Sequence, residues 1–308
     1  MARRGRIIGS IAVAAVIGTF PLYLYIDRTF MAEPTYRADR LFRDQTPDFD
    51  RKIYVIAQDI ERGERPSESA LDRLGDDIDA RQGEGITLLF HAVASANIEA
   101  VDALLAAGAD PNITDRPTRS DRSFAYLLTL PGGPLMGEEN INRMLASYLR
   151  HGGDPNATFG DKARSQGNLM QGVAVAGNIE GLNMLLEAGG DPWKPTFSNG
   201  KAEGNAMTAL AFEMRFTILD SLIDRGYFSD QPQRKIYDFL SALGGYAQRR
   251  DEESGEIQRI AKRVLKRNPD YVEMAIYDTA TRRIFKDHWK DPEPGVIPWD
   301  EILSDAVR

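Results

Sequence analysis

The stretch Gly85 to Asn112, GITLLFHAVASANIEAVDALLAAGADPN, returns 81 positions later as NLMQGVAVAGNIEGLNMLLEAGGDPW, from Asn168 to Trp193. Laid over one another, Ala92 falls on Val173, Asn97 on Asn178, Glu99 on Glu180, Val101 on Leu182, and Leu104-Leu105 on Leu185-Leu186. Gly108-Ala109-Asp110-Pro111 falls on Gly189-Gly190-Asp191-Pro192. Between them, Ser123 to Asn156 fills the same slots with Leu145, Tyr148-Leu149 and Gly152-Gly153-Asp154-Pro155-Asn156, and a fourth copy follows with Leu219, Leu222-Ile223 and Gly226. A period of roughly 33 to 44 residues constrains the chain to a stack of one reused supersecondary unit.

After Thr87, the residues Leu88, Leu89, Ala92, Val93 and Ala96 give one short helix, and Ile98, Val101, Leu104 and Leu105 a second at helical spacing. Gly108 stops the second helix, because the residue past a helix end often adopts a left-handed conformation that glycine reaches without a Cβ clash. Asp110-Pro111-Asn112 makes the turn. One such unit cannot cover its own apolar face, so neighbours and terminal caps must supply stability. Leu71 to Ala80 reads as the second half of an amino-terminal cap and Ile257 to Asp270 as the closing helix.

These residues resemble the ankyrin-repeat family. The family's opening T-P-L-H-x-A reads here as Thr87-Leu88-Leu89-Phe90-His91-Ala92, keeping threonine, leucine and alanine and losing proline and histidine; the closing G-A-D-P-N is intact at Gly108 to Asn112. The resemblance runs from about residue 53 to 268, strongest in the first and third copies. It implies an all-α solenoid of about four to six helix-turn-helix repeats including caps.

Ile7 to Ile26 carries no charge over twenty residues and follows Arg3, Arg4 and Arg6. At about 1.5 Å per residue such a helix spans roughly 30 Å, the depth of the hydrocarbon core. The run exceeds a typical signal-peptide core and no small-x-small site follows it closely, which favours an uncleaved anchor over a cleaved signal. The expected organisation is a short cytoplasmic segment 1–6, a transmembrane anchor 7–26, a linker 27–50, repeats 51–270, and a tail 271–308 packing on the last repeat through Ile297, Trp299 and Ile302. The early arginines favour an amino terminus in the cytoplasm, which puts the repeats in the periplasm of a bacterial inner-membrane protein; Arg28, Arg37, Arg40 and Arg43 weaken that asymmetry.

The chain carries a net charge of -8; without the three arginines before the anchor, 35 basic residues face 46 acidic ones, or -11. Nucleic acid is a poor partner for such a surface. There is no cysteine, hence no disulfide framework or thiolate chemistry. The three histidines, His91, His151 and His288, show no metal-ligand spacing, and no nucleophile elbow, P-loop or dinucleotide fingerprint appears. Asp110, Asp154 and Asp191 recur because the turn uses them. The reading is a non-enzyme with no cofactor, no metal and no small-molecule substrate.

Function must then lie in a binding surface, at the lengthened connections. Ile113 to Arg122 holds Arg116, Arg119 and Arg122; Pro131 to Glu139 inserts PGGPLMGEE; Trp193 to Gly204 holds Trp193, Lys194, Phe197 and Lys201. Phe159 and Arg164 extend the same patch. Insertions in a solenoid map to loops that often form its binding face, and the plainer reading is solvated, drifting loops. By resemblance, Phe90, Tyr126, Gln171 and Thr208 occupy or lie near first-helix positions that ankyrin proteins expose to partners. The expected partner is one protein, with a toxic effector of a type VI secretion system, such as a phospholipase, as the concrete case; a scaffold or stress-protection adaptor of the envelope is the alternative.

Overall fold

The same closing hydrogen-bond pattern occurs four times along the computed structural model, which describes residue 38 and residues 50–82, 85–113, 124–129, 137–247 and 254–269. Gly108 and Ala109 donate to the carbonyls of Leu105 and Leu104, Gly152 and Gly153 to Leu149 and Tyr148, Gly189 and Gly190 to Leu186 and Leu185, and Gly226 and Tyr227 to Ile223 and Leu222. Each is a Schellman closure, and each first glycine has positive φ: 100°, 87°, 88° and 84°. The recurring glycine thus ends a helix in every copy.

The chain divides into two compact units, residues 1–160 and 161–308, described in turn. In the first, α1 (Arg51–Glu61) and the short α2 (Glu68–Asp72), followed by a 3₁₀ turn at Gly75–Asp79, lead into the pair α3 (Leu88–Ala94) and α4 (Ile98–Ala106). The pair α5 (Phe124–Leu128) and α6 (Glu138–Arg150) follows, and the strand β1 (Thr158–Asp161) closes the unit. Thr87 caps α3 by accepting the Phe90 amide, and Asn97 caps α4 by accepting the Ala100 amide. The Asn97 amide group also donates to the carbonyls of Ile60 and Glu64, at 3.1 and 2.8 Å, satisfying the exposed end of α1. Ile53, Ile56 and Ile60 of α1 are buried with Leu88, Leu89, Val101 and Leu104, each such side chain contributing about 1.5–3 kcal/mol relative to exposure.

The second unit contains β2 (Ser165–Asn168), α7 (Leu169–Ala176), α8 (Ile179–Glu187), β3 (Thr196–Ser198), β4 (Lys201–Gly204), α9 (Ala206–Phe212), α10 (Phe216–Asp224), α11 (Gln233–Ala247) and α12 (Ser254–Arg267). Asn168 and Asn205 cap α7 and α9 in the Thr87 slot. The closing helix α12 buries Ile257, Ile260, Ala261, Val264 and Leu265 against α10 and α11. Its polar side clamps Asp220 of α10: Arg259 meets both carboxylate oxygens at 2.6 Å, and Arg263 reaches Asp220 and Asp224. The Arg259 bonds, reinforced by Arg263, hold the Asp220 carboxyl below the usual range.

Twelve α-helices among the described residues match the helical expectation, but four short strands correct the all-α reading. β2 pairs antiparallel with β3, and β3 with β4. The β3–β4 pair turns at Asn199-Gly200, both at positive φ (50° and 75°), the backbone of a tight hairpin turn. Among the described residues no helix is long and apolar enough to cross a membrane. The expected span 7–26, most of the linker, and the tail 271–308 lie outside them.

Candidate functional site

Each turn after a second helix is built by its aspartate, whose carboxylate accepts the amide two residues on: Asn112 from Asp110, Asn156 from Asp154 and Trp193 from Asp191, at 2.7–2.8 Å. This accounts for the recurring Asp-Pro. The third turn residue then ties one copy to the next. The Asn112 side chain donates to the Gly152 carbonyl and accepts from the Asp154 amide and the Tyr148 hydroxyl. In the third copy Trp193 takes that place, its indole N–H donating to the Tyr227 carbonyl at 2.8 Å.

Trp193 is only 2 % exposed, packed edge-on against Phe228 and near Phe239, with ring centroids 5.3 and 6.3 Å away. This corrects its assignment to the binding surface. An indole offers too much apolar area to leave on a turn when Phe228, Phe239 and the Tyr227 carbonyl are within reach. Phe90 is also corrected: it lies 4 % exposed within α3, among the buried apolar residues of the core. Arg116, Arg119, Arg122 and the insertion 131–136 lie outside the described residues. Tyr126 is half-buried, edge-on to Phe159 at 5.1 Å, so these two meet in the first unit.

In the second unit the remaining residues come together around two hairpin turns. The Asn199 amide donates to the Arg164 carbonyl at 2.9 Å and the Gly200 amide to the Lys162 carbonyl at 3.0 Å, so the turn at 161–164 is zipped to the turn at 199–200. Phe197 is half-buried, and Lys162 holds its Nζ 4.1 Å from that ring's centroid. Lys162, Arg164 and Lys201 are all exposed. Lys194 is half-buried at the base, where its carbonyl accepts the Asn168 side-chain amide. Gln171 and Thr208, both half-buried, flank the last hairpin residue: a Cβ on Gly204 would stand 3.1 Å from Thr208 Oγ1 and 3.5 Å from Gln171 Nε2.

Lys162 was missed by sequence reasoning, although Asn199-Gly200 between Thr196-Phe197-Ser198 and Lys201-Ala202-Glu203 is a readable hairpin signal. His91 is wholly buried and its Nε2–H donates to the Ala57 carbonyl at 3.1 Å. Burial lowers its pKa to about 4, against the opposing influence of that carbonyl and of Glu61. His151 bonds through Nδ1 to the Ser147 carbonyl at 2.9 Å, at the end of α6. Both are structural positions. Among the described residues no group of three or more His, Asp or Glu side chains could hold a metal ion.

Residues 84–113 match the family model described as Ankyrin repeat, the stretch that holds α3, α4 and the first Asp-Pro-Asn turn. No curated protein matches the chain. Ankyrin repeats are typically non-catalytic modules that bind other proteins.

Proposed function

We propose that this ankyrin-repeat chain is a membrane-tethered binder whose repeats face the periplasm and sequester one protein, a toxic effector delivered by a type VI secretion system. The observation that carries the binding part is the zipped pair of hairpin turns, which presents Phe197, Lys162, Arg164 and Lys201 on a backbone fixed before any partner arrives. Preorganisation lowers the ordering cost of association, and rigid aromatic and cationic groups are where interface energy concentrates. The charge-free run at 7–26 after three arginines supports the tether and its orientation. A tethered binder outside the cytoplasm is well placed to intercept an incoming toxin, and this is the support for the immunity reading.

The test is affinity capture of the full chain from detergent-solubilised membranes, with growth measured during exposure to the candidate effector. One stoichiometric protein, together with growth protection specific to that effector, is the expected result. Capture of no protein in stoichiometric amount would end the binding reading. Capture without effector-specific protection would replace the immunity role by an envelope scaffold.

A further inference from the structure

We infer that the hairpin platform of the second unit recognises an acidic segment of the partner protein, an inference that rests on the protein-binding reading above. Lys162, Arg164 and Lys201 are exposed on two turns whose backbones are bonded to each other, so their Cα positions are set by main-chain geometry. The neighbouring carboxylates are Asp161, which accepts the Ala163 amide at 2.8 Å, and Glu203 on β4. Three cations on one small platform of a chain with net charge -8 form a local reversal of sign. A negatively charged segment would be drawn to this spot, which gives both steering and register.

The mode of contact also follows. The outer strand β4 is four residues long, carries Lys201 and exposed Glu203, and its pairing with β3 is irregular between Thr196 and Phe197. Short, charged and irregular edges are poor templates for strand addition. The partner is therefore read by side chains: carboxylates against the three cations, and an apolar group against the exposed part of the Phe197 ring beside Lys162.

The experiment uses the full chain reconstituted in phosphatidylcholine nanodiscs, with a labelled peptide rich in glutamate and carrying one phenylalanine, and a second peptide with glutamine in place of every glutamate. The acidic peptide should bind and weaken as salt rises, while the glutamine peptide should not bind. The K162E/R164E/K201E variant should lose about tenfold in affinity or more, the sum expected of three exposed ion pairs. Should that variant lose its far-UV circular dichroism, Lys201→Glu alone carries the test, with a smaller loss. Failure of the acidic peptide to bind, equal binding of both peptides, or displacement by phosphatidylglycerol vesicles would overturn the inference, the last by assigning the platform to a lipid surface. The two readings separate in membrane capture: a triple variant that still retains the wild-type partner sinks the acidic-segment inference alone, whereas a wild-type chain that captures nothing sinks protein binding itself.

Discussion

Trp193→Ala should cost the second unit about 3–5 kcal/mol, the range for removing a large buried aromatic and leaving a cavity. The site sits firmly in that range. The ring is 2 % exposed, touches Phe228 and Phe239 edge-on, and donates its one N–H to the Tyr227 carbonyl. The edge-to-face pairs contribute about 0.5–1.5 kcal/mol each beyond area, and the hydrogen bond about 1 kcal/mol. Trp193→Phe keeps most of the packing and loses that bond, so its cost should be smaller, about 1–3 kcal/mol. Phe197→Ala, at a half-buried ring on the hairpin, should cost about 1 kcal/mol or less. The assay is urea unfolding of the full chain in micelles, followed by far-UV circular dichroism and by indole fluorescence, with Trp289 and Trp299 as the other emitters. Trp193→Ala within about 1 kcal/mol of wild type would refute the placement of this ring in the core.

His91 supplies a pH test. Its folded pKa, about 4, lies below the ordinary value of 6.5, so the unfolded chain binds more protons between those two pH values and stability falls as pH drops through that window. The total loss is about 3 kcal/mol, and His91→Gln, which can still donate to Ala57, should flatten the wild-type dependence of the urea midpoint between pH 7 and 4; an unchanged slope would exclude the buried neutral ring. Gly190→Ala should destabilise more than Gly189→Ala, because a Cβ at Gly190 would stand 2.8 Å from the Leu185 carbonyl oxygen and 2.3 Å from Met170 Cε, whereas Gly189, at φ 88°, has open space and bears only conformational strain. The expected costs are about 1–3 kcal/mol for the first and about 1–2 kcal/mol for the second, read as urea midpoints, and the reverse order would contradict the packing described. Asp220→Asn, which removes the charge between Arg259 and Arg263, should raise amide hydrogen exchange across α12 with a stability loss of about 1 kcal/mol, discounted because these groups are partly solvated; no change in exchange would show the clamp to be idle.

The helix pairs were legible because glycine, aspartate and proline mark their ends at fixed intervals, and the apolar residues between them alternate at helical spacing. The short turns within each pair were less so. Their left-handed position is filled by Ala96, Gly177 and Met214, and only the glycine announces it. The hairpins were hidden for a different reason: Thr196-Phe197-Ser198 and Lys201 to Gly204 are too short for a periodicity to emerge, leaving Asn199-Gly200 as the one signal. Trp193 misled because it opens a lengthened connection, where an aromatic residue reads as a contact group, while the deciding facts are the rings of Phe228 and Phe239, more than thirty residues downstream. Arg164, Phe197 and Lys201 could be picked from sequence as one finger patch, yet Lys162 joins them only through the fold.

The joint at Trp193 restricts how such an array can lengthen or shorten. Between the first and second copies the junction is a small amide that bonds two main-chain groups any further copy would also offer, and the Tyr148 hydroxyl besides. After the third copy it is an indole seated against Phe228 and Phe239, rings specific to the residues that follow. Duplicating a module at the Asn112 seam keeps both main-chain bonds, whereas cutting or inserting at the Trp193 seam strands a bulky ring in water and opens a hole behind it. Any change of length at the Trp193 seam, in evolution or in design, must therefore carry Phe228 and Phe239 along with it.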